Sequence, residues 1–183
     1  MRCTPVLSAL ALGACASVVP STAVRLATLD PLTADPAAIE LVVILPEGIA
    51  VAPGSARLEF GAVRGAESRK GRFALEDRAA PASVSAESGT ARGFALTKAD
   101  AERMRALQAE IAMWKRDGDA KGSLGLGIGG CAVGAGPAPD AVGSVLIRMA
   151  EGGPFLPLIR AGKLADLLGA EVLAAIQPCK GGQ

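Results

Sequence analysis

An α+β domain built on a mainly antiparallel sheet or sandwich is the fold class this sequence predicts. Three observations carry it. Several short segments alternate apolar with polar residues and end in Gly or Pro turns, as one-sided strands do. One long segment instead places its apolar residues three and four apart, and a shorter helical pattern closes the chain.

The first strand covers residues 39–45, an apolar and β-branched run in which only Glu40 is polar, as expected of a strand buried on both faces. Pro46-Glu47-Gly48 and Pro53-Gly54 are turn signals bracketing residues 49–51. Ala56, Leu58, Phe60 and Ala62 then alternate with Arg57, Glu59 and Gly61, giving a strand with one wet face. Residues 72–77 repeat the pattern with Phe73 and Leu75 turned inward. Residues 79–92 are small and polar, and they predict a flexible surface loop.

Thr97 opens the clearest element, a helix over about 97–117. It is a good N-cap, and Asp100 three residues on resembles a capping box with a shorter acid. Met104, Leu107, Ile111 and Trp114 form one stripe, which the pattern places in the core with Trp114 among it. Lys115 and Arg116 suit the negative end of the helix dipole, and Gly118 can close the helix.

Residues 123–133 follow as a strand in which Gly125, Gly127 and Gly129 form a bare face that admits a close neighbour. Residues 142–149 and 155–159 read as a hairpin joined by Glu151-Gly152-Gly153-Pro154, with Pro157 marking an edge or a bulge. A C-terminal helix over about 162–176, either continuous or hinged at Gly169, ends before Pro178. No internal repeat emerges.

The N-terminus carries an address. Arg2 precedes an apolar run at residues 6–12 broken only by Ser8, and Gly13 and Ala14 follow. A bilayer span needs about 20 apolar residues, so this segment is a secretory signal and not an anchor helix. Leu12, Gly13, Ala14 and Cys15 together resemble the lipobox of bacterial lipoproteins. That resemblance covers residues 1–15 only and implies a diacylglycerol group on the Cys15 thiol, cleavage before it, and usually a further acyl chain on the new amino group. Two or more chains anchor stably, where one does so only reversibly. In the lipoprotein class that these residues resemble, Ala16 and Ser17 with no Asp beside the cysteine imply the periplasmic face of the outer membrane. An ordinary cleavage before Ser17 is the alternative, because Ala14-Cys15-Ala16 also has the A-x-A form. The expected layout is a signal at 1–14, a lipidated tether at 15–36 with room for a short strand at residues 24–29, and a globular domain at 37–183.

Composition narrows the function classes. Removing residues 1–14 leaves 183 − 14 = 169 residues, enough for one domain with a real core. It also takes one base and no acid, so 19 − 1 = 18 basic residues face 18 acidic ones. A near-neutral chain offers no field for nucleic acid. Its densest basic stretch, Arg64, Arg69, Lys70 and Arg72, is interleaved with Glu67 and reads as a solvated hairpin, the alternative being contact with anionic lipid head groups. Of the four cysteines, Cys3 leaves with the signal and Cys15 takes lipid or leaves too. Cys131 and Cys179 remain as a pair, expected as a disulfide in an oxidising compartment. Closing a loop of about 49 residues would contribute roughly 4 kcal/mol in the chain-entropy model.

Gly125-Leu126-Gly127-Ile128-Gly129-Gly130 fits G-x-G-x-x-G literally, but its glycines alternate through a strand and do not open a helix, so no dinucleotide is expected there. The chain has no histidine, which removes Ser-His-Asp and Cys-His catalysis, and it has no S-x-x-K. Glu40, Glu59, Glu76 and Asp77 could in principle pair as catalytic carboxylates, yet one Trp, no Tyr and four Phe offer little platform for sugars. Asp117-Gly118-Asp119 is too short an acidic turn for calcium. The expectation is a non-enzymatic protein with no cofactor and no metal. It meets the membrane through Cys15 and serves as a structural or protein-interaction module with an unidentified envelope partner. The rival reading is a carrier for a small apolar ligand held between the sheet and the Thr97 helix, with Gly125, Gly127 and Gly129 leaving space and residues 155–159 lining it.

Overall fold

The computed structural model describes residues 32–86, 89–116 and 118–180. It is an α+β domain: a curled, antiparallel, seven-stranded sheet, close to half a barrel, with one long helix against its concave side. The chain enters through a 3₁₀ turn at Pro36–Ala38, capped where Asp35 Oδ1 accepts the Ala37 N–H at 3.1 Å. The strands are β1 (Glu40–Leu45), β2 (Ile49–Val51), β3 (Arg57–Arg64), β4 (Glu67–Ala79), β5 (Thr90–Leu96), β6 (Lys121–Gly127), β7 (Gly130–Ala132), β8 (Val142–Arg148) and β9 (Leu156–Lys163). The helices are α1 (Lys98–Arg116), α2 (Leu164–Leu168) and α3 (Ala170–Ala174).

The large sheet has the order β6-β3-β4-β5-β1-β8-β9, and β2 and β7 form a separate two-stranded ribbon. Consecutive hairpins explain most of this order, and the pairing of β1 with both β5 and β8 closes it through the centre. Leu41, Val42 and Val43 are all buried, so β1 is covered on both faces as its composition requires. Facing inward are Leu58, Phe60, Phe73, Leu75, Phe94, Leu96, Val145 and Ile147, which pack with Ala101, Met104 and Ile111 of α1. Each large side chain buried this way contributes roughly 1.5 to 3 kcal/mol.

Helix α1 starts where the sequence places it. Thr97 Oγ1 accepts the Asp100 N–H at 3.0 Å, filling one orphan donor of the first turn. The buried Asp100 carboxylate does not return to the cap. It accepts the Ala74 N–H at 2.7 Å and binds Arg103, fastening the helix to β4.

Three expectations need correction. Only residues 80–89 connect β4 to β5, because Ala79 ends one strand and Thr90 to Arg92 already pair in the next. Residues 123–133 are two strands in different sheets, since β6 ends at Gly127 and β7 leaves to meet β2. Trp114 is half-buried and outside the core: Arg64 and Arg69 stack on its ring at 4.7 and 4.6 Å. The C-terminal helix takes the hinged one of its two expected forms, as α2 and α3 joined at Gly169, whose φ is +90°. Cys15, the signal and residues 24–29 lie outside the described residues.

Candidate functional site

The concave side is only partly filled. Helix α1 covers β3, β4 and β5, while the other end of the groove is roofed by the β2–β7 ribbon and the C-terminal cap formed by α2 and α3. Between them lies a cavity of about 200 Å³, open to solvent on one side. Val43, Leu45 and Val145 form its floor, and Leu126 and Ile128 form the wall at the β6 edge. Ile159 stands opposite, and Leu164, Leu167 and Leu168 descend from the cap. Among the described residues that line it, only Ser144 has a side chain that can donate or accept a hydrogen bond, so the site offers shape and apolar contact.

Local sequence explains the roof. Gly48 turns the chain into β2 at φ +85°, where a side chain would strike the backbone of Gly136. Ala52 N–H donates to Gly129 O at 2.8 Å, and Ser55 Oγ bonds both the N–H and the carbonyl of Gly129 at 3.0 Å. These contacts swing residues 128–129 off the large sheet and start the ribbon. Gly130 then leaves room for Ile49 and Ile176, which close over it.

The cap is held at its two ends. At the first, Leu164 is 4% exposed and its N–H donates to Ala141 O at 2.8 Å. At the second, Cys131 and Cys179 are joined with an S–S distance of 2.01 Å, the pair expected from the cysteine count. Ala132 supports the bridge by donating to Gln177 O at 2.8 Å and accepting from Cys179 N–H at 2.9 Å. Helices of five residues have little stability of their own, so these fastenings keep the cap in place. Leu168 and Val172 remain exposed on it.

The rival reading of the sequence therefore has the right kind of space in the wrong place. The cavity lies under the C-terminal cap, away from the Thr97 helix. Gly125, Gly127 and Gly129 do not line it; Gly127 lies beneath Arg57 and Gly129 beside Ser55. Of residues 155–159 only Ile159 reaches it. Its remaining wall, Leu126 and Ile128, comes from the apolar half of the glycine-rich strand, which the alternation there did signal.

The candidate carboxylates are occupied. Glu40 pairs with Arg148, Glu59 with Arg57 and Arg72, Glu76 with Arg78, and Asp77 with Arg92. Among the described residues, no three Cys, Asp or Glu side chains converge as metal ligands would. The basic hairpin is tied up in the same manner, with Arg64 on Glu67 and Arg69 on Glu110. At the chain's entry Arg105 binds Asp35 at 2.6 Å, and this hydrogen bond with the Ala37 N–H holds the Asp35 carboxyl below its ordinary value of 3.8. Among the described residues no helix is long and apolar enough to cross a membrane.

No family model, curated protein or solved structure matches the chain.

Proposed function

We propose that this chain is a lipid-anchored protein of the bacterial envelope whose domain binds a small apolar ligand, without catalysis, in the cavity beneath the C-terminal cap. The observation that carries the reading is the cavity itself: about 200 Å³ of open, almost wholly apolar space, roofed by a disulfide-held cap. Dry apolar cavities of about 150 Å³ already admit benzene, so a ring or a short acyl segment is the size class supported here.

Attachment through acyl chains on Cys15, at the periplasmic face of the outer membrane, is the second part of the proposal. The lipobox-like residues support it. From Cys15 to Leu32 there are 32 − 15 = 17 residue steps, which can span at most about 60 Å. The described residues begin at Leu32, ahead of β1, whereas Val43 and Leu45 towards the far end of that strand floor the cavity.

The full chain carrying Cys15→Ser, which takes no lipid, tests the site with 1-aminonaphthalene, an uncharged two-ring dye whose emission responds to apolar surroundings. The dye should bind at one site, and Ile128→Phe, which fills the space, should weaken it at least tenfold without unfolding the domain. Dye binding that ignores Ile128→Phe, or no binding at all, contradicts the ligand site. Feeding cells an alkyne-tagged palmitate tests the anchor: wild type should label and Cys15→Ser should not.

A structural or protein-interaction module is the second reading, and one observation favours it: among the described residues, nothing pairs with the outer edge of β6.

A further inference from the structure

The two edges of the large sheet are built differently. β9 is interrupted by register shifts opposite Gly143, Val145 and Leu146, and it contains Pro157, features that natural sheets use to blunt an edge. β6 has neither. It pairs with β3 without interruption from Lys121 to Gly127, contains no proline, and stands last in the sheet. An edge of this kind is a template for another strand unless something covers it.

Its surroundings define what would fit. On the concave side Leu124 and Leu126 point inward, and Leu126 lines the cavity. Any strand laid along β6 would place alternate side chains beside them, with the one opposite Leu126 at the cavity's mouth. On the convex side the excess charge is positive. The guanidinium of Arg57 crosses over Gly127, where a side chain's Cβ would come within 2.9 Å of its Cζ. Arg57 and Arg72 share the single carboxylate of Glu59, and Lys70 and Lys121 add two further exposed cations on that face.

We propose that β6 is the docking edge for an extended polypeptide segment of a partner, one that alternates apolar residues facing the cavity with acidic residues facing Arg57 and Lys121. Backbone hydrogen bonds to β6 give the affinity, and the cavity and the two cations set register and direction. Lys121 and Gly127 share one face of the strand, so acids spaced to meet both lie on the same side of the incoming segment. This inference rests on the apolar reading of the cavity and names what would deliver the apolar group.

The probe is the capped peptide Glu-Leu-Thr-Leu-Thr-Leu-Glu, titrated into the full chain carrying Cys15→Ser with the naphthalene dye already bound. The peptide should bind, displace the dye, and lose at least tenfold in affinity against Arg57→Glu. The same peptide ended in Lys at both positions, or methylated on its backbone nitrogens, should bind at least tenfold more weakly. If the peptide fails to bind while the dye still does, strand docking is overturned and the small-ligand reading stands. If the dye too fails to bind, both fall. Peptide binding that neither displaces the dye nor responds to Arg57→Glu also overturns the proposal, because it would occur elsewhere.

Discussion

Gly143 and Leu164 meet where β8 passes beneath the cap, and a β-carbon on Gly143 would stand 2.8 Å from Leu164 Cδ2. Leu164 is both the buried foot of the cap and part of the cavity wall. The absence of one methyl group in β8 therefore sets how closely the roof sits. Gly143→Ala should cost about 1–3 kcal/mol through overpacking, read as a lower denaturant midpoint, and should weaken dye binding by moving the cap.

The disulfide fastens the other end of the same cap. Cys179→Ser should lower stability by about 2–4 kcal/mol, since a cross-link between residues 48 apart no longer restrains the unfolded chain. Reductant should bring the wild type to the variant's midpoint and leave the variant unchanged. Because the bridge holds the roof, dye affinity should fall in parallel with the stability loss.

Trp114 behaves as a clamp between helix and hairpin. Its half-buried ring carries two guanidinium groups, each a modest attraction at a wet site. Trp114→Ala should cost about 1–2 kcal/mol, below the roughly 3–5 kcal/mol of a core tryptophan. It is the chain's single tryptophan, so intrinsic fluorescence reports this clamp directly. Replacing both Arg64 and Arg69 by Ala should shift the emission to longer wavelength as water replaces the guanidinium groups.

Acid should loosen the chain's entry to the domain. The carboxyl of Asp35 is held below its ordinary value by Arg105 and by the Ala37 N–H, so its stabilising contribution is present above about pH 4 and is lost as pH falls through the lowered value. The pair is exposed, so the effect is small and sensitive to salt. Stability measured across that acid range should fall less steeply in Asp35→Asn than in the wild type. Equal slopes would show that the pair contributes nothing.

Local signals account for what the sequence revealed. The Thr97 cap, the apolar stripe of α1 and the turn glycines all act within a few residues, and each forms where the pattern places it. The cysteine pairing was legible by elimination. What the sequence concealed depends on distant partners. The break between β6 and β7 is invisible in an alternation that runs on past Gly127, because Ser55, 74 residues from Gly129, enforces it. Trp114 fits the helical stripe, yet the helix end overhangs the β3–β4 hairpin, where arginines meet it in place of core. The cavity was misplaced for a related reason: its position follows from the curl of the sheet and the return of residues 164–179, neither of which has a local signature.

Xenon enters dry apolar space and little else. A crystal of the full chain with Cys15→Ser, pressurised with xenon, is therefore the most direct measurement. An apolar binding cavity predicts a xenon atom among Val43, Leu126, Val145 and Leu167, and none in the Ile128→Phe variant. Ordered water in that space, or a cap collapsed onto β8 with no gas bound, would contradict it.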